Sequence, residues 1–89
     1  MDKTANTIYI DVREPMEFAS GHLGDAINIP VGTIVENSSQ LQGINKDSHI
    51  VVYCGSGARA ENAKMQLQQL GYVDVVNGIN QDEIEKSNS

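Results

Sequence analysis

Short hydrophobic runs separated by polar segments dominate the pattern along this chain. Residues 8–12, 49–53 and 73–76 are mostly apolar and rich in β-branched side chains. Runs of this length and composition are typical of strands that are buried on both faces of a parallel sheet. A further short run, 26–29, ends at Pro30. The pattern therefore predicts four strands, and the most hydrophobic of them, 49–53, is expected at the centre of the sheet.

Helical periodicity appears between these runs. Small and apolar residues recur at the spacing of one helix face over 60–70, and Gly71 is well placed to end that helix. A short helix is predicted over 15–19, because it begins with a proline, which suits the first helical turn, and is ended by Gly21. Residues 31–41 are a weaker helix prediction, since a polar run interrupts the apolar positions.

Strands that alternate with helices predict an α/β fold with right-handed crossovers. The expected architecture is a small three-layer domain, in which a mostly parallel sheet of four to five strands carries helices on both faces. The chain has 89 residues, which is enough for one domain and close to the lower limit for a stable core. We therefore expect residues 1–89 to form a single domain, and we expect it to be a monomer.

Charge and composition exclude several classes of function. The chain has 12 acidic residues against 6 Lys and Arg, a formal net charge of -6. It therefore offers no basic patch for a phosphate backbone, and nucleic-acid binding is not expected. No apolar run approaches the roughly 20 residues that span a bilayer, so no membrane association is expected either.

Cysteine and histidine usage narrows the chemistry further. One cysteine and two histidines form neither an intramolecular disulfide nor a zinc site by their spacing, so no metal is expected. Residues 1–7 lack the apolar stretch of a secretory signal. A chain that is native as given is expected in the cytoplasm. If Met1 replaces a removed signal peptide, the periplasm is expected instead, and the sequence leaves both open.

The single cysteine, Cys54, is the candidate nucleophile. It follows the predicted central strand and precedes a glycine-containing loop and a helix. In an open α/β sheet, ligands bind beyond the carboxyl ends of the strands. A thiol at that edge faces loop N–H groups and a helix N-terminus, both of which stabilise the thiolate. Cys54 is therefore predicted to be catalytic.

The five residues after the cysteine are predicted to bind substrate: Gly55, Ser56, Gly57, Ala58 and Arg59. The first four are small, as a tight loop requires if its N–H groups are to converge on the sulfur. Gly57 is the position expected to supply a positive φ. Arg59 has two interpretations that the sequence leaves open, namely a contact to an anionic sulfur donor or a brace that orients the loop.

Four other polar residues are expected to have structural roles. Asp11 and Arg13 lie near the carboxyl end of the first strand, where a supporting ion pair is favoured over direct catalysis. His22 invites a general-base role, but it lies beyond the short helix from the first strand. His49 begins a strand and carries no functional prediction.

Taken together, these elements resemble the single-domain rhodaneses, a family of sulfurtransferases. The resemblance covers nearly the whole chain in order and is carried by Asp11-Val12-Arg13-Glu14-Pro15 with Glu17-Phe18, by Gly21-His22-Leu23 running on to 26–30, by Val52-Tyr53-Cys54 with Gly57 and Arg59, and by Leu70-Gly71-Tyr72 followed by Val75-Val76 and Gly78.

The resemblance implies an activity and its partners. A sulfane sulfur would pass from thiosulfate or a similar small anionic donor to Cys54 as a persulfide, and then to cyanide or a thiol, a thioredoxin-like protein being one candidate acceptor. It implies no cofactor, and it gives His22 a structural hydrogen bond. Two departures concern the site, because Gly55 occupies a loop position that is often basic and Asn77 replaces one glycine of a terminal pair.

Two other functions remain as alternatives. Phosphatases and arsenate reductases share the order of strand, cysteine loop and helix, but they place five residues between Cys and Arg, where this chain has four. The shorter loop directs fewer N–H groups around a phosphate, which disfavours that class. The second alternative is a persulfide carrier or regulatory interaction module without small-molecule turnover, which would accept sulfur only from a protein partner.

Overall fold

Four parallel strands form the sheet, in the order β2-β1-β3-β4. The computed structural model describes residues 7–36 and 41–87. Their strands are β1 (Thr7–Asp11), β2 (Ile27–Asn28), β3 (His49–Tyr53) and β4 (Val75–Asn77). Every pairing between them is parallel, which confirms the predicted α/β class, and β1 and β3 occupy the two central positions.

Helices follow three of the strands. The α-helices are α1 (Pro15–Ala19), α2 (Ala58–Gln69) and α3 (Gln81–Ser87). The helix predicted over 31–41 is only partly present in the described residues. Val31–Thr33 forms one turn of 3-10 helix, a turn follows at 34–36, and Leu41 is again helical. The remainder of that prediction, 37–40, lies outside the described residues.

Side-chain alternation along the strands divides the core between the two faces of the sheet. Ile10, Val52 and the other residues of that parity pack with Ala63 and Leu67 of α2. Residues of the opposite parity, Val51 and Tyr53 among them, pack with Ile84 of α3. Helices therefore cover both faces, as a parallel sheet requires, and the predicted three layers are present.

The fourth strand begins two positions later than predicted and ends one position later. Val73 is 75% exposed and lies before the strand, so its side chain does not contribute to the core. Asn77, although polar, continues the ladder opposite Val52. The β-branched run misled the prediction, because exposure of Val73 is decided by where the chain leaves α2 and not by its own propensity.

The register brings the carboxyl ends of three strands to one edge. Asp11 pairs with Tyr53, and Val52 pairs with Asn77. The residues that follow these strand ends therefore lie side by side, and Cys54 is directly beyond the central one.

No helix within 7–36 and 41–87 is long and apolar enough to span a bilayer.

Candidate active site

Cys54 lies in a loop that turns from β3 into α2. The residue is only 2% exposed, and its backbone N–H donates to the carbonyl of Ile79 at 3.0 Å. The Cys54 Sγ accepts a hydrogen bond from the backbone N–H of Gly57, also at 3.0 Å. Gly57 is the N-cap of α2 and has φ 95°, so the loop does use a left-handed glycine where the sequence predicted one.

The loop favours the thiolate over the thiol. Burial raises the pKa of Cys54, since it removes water from the charged sulfur. Hydrogen bonds from four backbone N–H groups act in the opposite direction and lower the net pKa below 9.0, and these groups belong to Ala60, Ser56, Gly57 and Arg59. A lowered pKa increases the fraction of the nucleophilic form at neutral pH.

Arg59 is held by a carboxylate from α1. Its Nη1 donates to Glu17 Oε1 at 2.8 Å, and its Nη2 donates to Glu17 Oε2 at 3.3 Å. The pKa of Glu17 falls to about 2, chiefly through the side-chain hydrogen bonds from Arg59. The Arg59 guanidinium also interacts with Cys54, which contributes to the raised pKa of the arginine. The cation therefore lies between the nucleophile and an internal carboxylate.

A small cavity of about 190 Å³ opens above the sulfur. It is lined by Arg13, Cys54, Gly55, Asn80, Gln81 and Asp82. The first three are site residues that the sequence predicts, whereas the contribution of α3 is not predicted from the sequence. The Asn80 side chain accepts the Glu83 N–H at 2.8 Å and so caps that helix. An asparagine directly before an acidic first turn was the signal for this helix start.

Asp11 and Arg13 form the ion pair expected from the sequence. Asp11 is fully buried, and its carboxylate accepts from Arg13 Nη2 at 2.7 Å and from Arg13 Nε at 3.0 and 3.1 Å. Arg13 also donates to the carbonyl of Gly21 at 2.7 Å. These contacts tie the end of β1 to the segment after α1, and they occupy the guanidinium that reaches the cavity.

Structural contacts are made by three other titratable residues, of which His49 begins β3 and so lies at the opposite end of that strand from this edge. Burial raises the pKa of Tyr53 to about 12, so its hydroxyl stays protonated, and it accepts the Leu23 N–H at 3.2 Å. His22 contacts the Phe18 carbonyl through Nδ1 at 2.8 Å and stacks on the Phe18 ring, as the resemblance implied. His49 pairs with Asp74 at 3.0 Å, a contact that the sequence did not predict.

Sequence reasoning missed the importance of Asn77. Its side chain donates to the Gly57 carbonyl at 3.0 Å and accepts from the Ile79 N–H at 2.8 Å. Gly57 belongs to the loop after Cys54, and Ile79, in the segment after β4, accepts the Cys54 N–H. In the sequence, Asn77 was visible as part of a turn signal before Gly78 and as a departure from a glycine pair, and neither indicated which groups its side chain contacts. Within the described part of the chain, no group of three His, Cys, Asp or Glu side chains could hold a metal ion.

A buried cysteine between a parallel strand and a helix N-terminus, in a loop whose N–H groups favour the thiolate, defines the class, an α/β domain with a candidate nucleophile at the carboxyl edge of its sheet. The rhodanese-like domain family model matches residues 1–79, and the chain belongs to that family. A sulfurtransferase of Allochromatium vinosum is 39% identical over 74 residues, which are 83% of this chain and 66% of that protein. Thiosulfate sulfurtransferase PspE of Escherichia coli is 35% identical over 69 residues, 78% of this chain and 65% of that protein. The chain thus spans slightly less than two thirds of either relative.

Solved structures agree with this assignment. A chain described as a rhodanese with anions from E. coli superposes with a TM-score of 0.77 at 31% identity, covering 86% of this chain and 89% of that chain. The family is functionally broad. A tRNA uridine(34) hydroxylase of Photorhabdus laumondii is 35% identical over 74 residues, which are 79% of this chain but 21% of that protein.

Proposed function

We propose that this chain is a sulfurtransferase that carries a sulfane sulfur as a persulfide on Cys54. The observation that supports this most directly is the hydrogen bond of 3.0 Å from the Gly57 N–H to Sγ, below a cavity open to a small molecule. A thiolate in that position is nucleophilic without a separate base. The proposal assigns the activity to a single domain over residues 1–89 that acts as a monomer.

Two balanced half-reactions make up the transfer. In the first, the thiolate attacks the outer sulfur of thiosulfate or a similar donor, an S–S bond forms on Cys54, the donor's S–S bond breaks, and sulfite leaves with its electron pair. In the second, cyanide or a thiol removes the terminal sulfur and regenerates the thiolate. With cyanide the product is thiocyanate. Splitting the transfer in this way is covalent catalysis.

The loop suits the persulfide as well as the thiolate. A terminal persulfide sulfur carries negative charge, and the N–H groups around Cys54 and the positive end of α2 favour an anion there. The cavity is too small for a large substrate, which favours a small anionic donor and a slender acceptor such as cyanide or an exposed thiol. A thioredoxin-like dithiol protein meets that requirement.

The test is to incubate the protein with thiosulfate and measure its intact mass. We expect a gain of one sulfur atom in the wild type and none in Cys54→Ser, followed by loss of that mass and release of thiocyanate when cyanide is added. Absence of the mass gain in the wild type, or its presence in Cys54→Ser, would overturn the proposal. Sulfur uptake only from a persulfidated protein would instead favour the carrier function.

A further inference from the structure

The Asn77 side chain joins three segments around the candidate nucleophile. It lies at the end of β4, and its amide group donates to the Gly57 carbonyl at 3.0 Å and to Glu61 Oε1 at 3.2 Å. Its oxygen accepts the Ile79 N–H at 2.8 Å. One short side chain therefore connects the cysteine loop, the first turn of α2 and the segment after β4.

These contacts link Asn77 to Cys54 by two routes, one through Ile79 and one through Gly57. The Ile79 carbonyl accepts the Cys54 N–H at 3.0 Å, and the Gly57 N–H donates to the Cys54 sulfur at 3.0 Å. Asn77 fixes both Ile79 and Gly57, so it holds the two residues that position Cys54 from either side. Asn77 itself does not contact the sulfur, and its effect on Cys54 is transmitted through Gly57 and Ile79.

Ile79 adopts a backbone conformation that needs such support. Its φ is 73°, and among residues 7–36 and 41–87 it is the one non-glycine residue with a positive φ. A β-branched residue in the left-handed region is strained, and strain of this kind persists where the surroundings enforce it. The hydrogen bond from Ile79 to the Asn77 side chain is one such constraint. The other is its position beside Gly57, where an added Cβ would lie 3.4 Å from Ile79 Cγ2.

We propose that Asn77 is a positioning residue for Cys54, which sets the reactivity of the sulfur by fixing Gly57 and Ile79. The proposal rests on the proposed role of Cys54 as the nucleophile, but it does not depend on the identity of the sulfur donor. It predicts that removal of the Asn77 amide donor loosens the loop N–H groups and makes the thiolate less favourable.

The test compares two variants with a charge-matched control. Asn77→Asp keeps the acceptor for the Ile79 N–H but removes the donor to Gly57, and Asn77→Gly removes both without adding charge. Asn62→Asp is the control, because it adds the same charge on α2 while its oxygen can keep the bond from Gln66. Each protein is alkylated with iodoacetamide across a pH range, and its folding is checked by thermal melting.

We expect the pH midpoint of alkylation to rise by about 0.5–1 unit in both Asn77 variants, a roughly three- to tenfold loss of thiolate at neutral pH. Asn62→Asp should stay close to the wild type. An unchanged midpoint in Asn77→Gly would overturn the proposal, as would equal rises in Asn77→Asp and Asn62→Asp, which would show an effect of charge alone. Alkylation needs no sulfur donor, so these outcomes are separate from success or failure of the thiosulfate assay.

A measurement on the wild type covers the case in which a variant does not fold. If Asn77 holds the loop, the NMR resonances of its side-chain amide must shift at the same pH midpoint as alkylation of Cys54. Resonances that do not respond to ionisation of the sulfur would contradict the proposal without any mutation.

Discussion

Arg59 and Glu17 form a two-point ion pair across the candidate site, with N–O distances of 2.8 and 3.3 Å. The two residues are 42 positions apart in the chain. Their side chains are 37% and 42% exposed, so the pair is worth little as a stabilising contact. The pair matters for the charge of the site, because the Glu17 carboxylate partly neutralises the positive charge that Arg59 would offer to an anionic donor.

Arg59→Ala is predicted to slow the reaction with thiosulfate more than the reaction of the persulfide with cyanide. The pair with Glu17 uses one N–H from each terminal nitrogen, so other guanidinium N–H groups remain for a dianion. Loss of a charged hydrogen bond is worth about 1.5–3 kcal/mol, or roughly one to two decades in rate. Stopped-flow measurement of each half-reaction checks this, and equal slowing of both would make Arg59 a loop brace.

Glu17→Gln is predicted to have the opposite effect to Arg59→Ala on the reaction with thiosulfate. Removal of the carboxylate leaves the Arg59 charge uncompensated, so the KM for thiosulfate should fall by about three- to tenfold at low ionic strength and the gain should shrink in high salt. Glu36→Gln, an exposed Glu in the turn after the 3-10 helix, is the matched control. If Glu17→Gln impairs the thiosulfate reaction as much as Arg59→Ala does, the pair acts as one mechanical unit.

The strands and the main helix could be predicted from the sequence because their signals are local. The β-branched run at 49–53 became β3 with the predicted bounds, and the small-residue spacing on α2 matched the buried positions Ala60, Ala63 and Leu67. The prediction over 31–41 failed at 34–36, where burial does not require a helix. Ile34 is buried in the core, but it lies in a turn and not on a helix face.

Site residues that are contiguous in the sequence could be predicted, whereas those that distant segments bring to the site could not. Cys54 and its loop are contiguous, so glycine content and position were sufficient. The roles of Glu17 and Asn77 depend on contacts to residues 42 and 20 positions away. Such contacts exist only once the strand order has been set, and a single sequence contains no signal for which of several carboxylates or amides will reach the loop.

The lowered pKa of Cys54 predicts a specific pH dependence of reactivity and stability. Alkylation of the wild type should reach half its maximal rate below 9.0, the ordinary value. A group whose pKa is depressed by folding stabilises the fold fully above its unfolded pKa, and this contribution is lost as the pH falls through the folded pKa. The free energy of unfolding, measured in urea, should therefore rise with pH over that window in the wild type and lose this rise in Cys54→Ser. Parallel pH profiles for the two proteins would contradict the argument.

Gly57→Ala and Gly55→Ala are predicted to differ sharply although they are two positions apart. Gly57 has φ 95°, and a Cβ there would meet Ile79 at 3.4 Å, whereas a Cβ on Gly55 meets only Arg59 Nη2 at 3.7 Å. The left-handed conformation costs a residue with a side chain about 1–2 kcal/mol. We expect Gly57→Ala to lower the free energy of unfolding by about that amount and to raise the alkylation midpoint of Cys54. The reason for the second effect is that relief of the strain at position 57 turns its N–H away from Sγ. Gly55→Ala should leave both quantities near the wild type. Chemical denaturation and the alkylation profile measure them independently, and equal behaviour of the two variants would show that the left-handed glycine does not organise the loop.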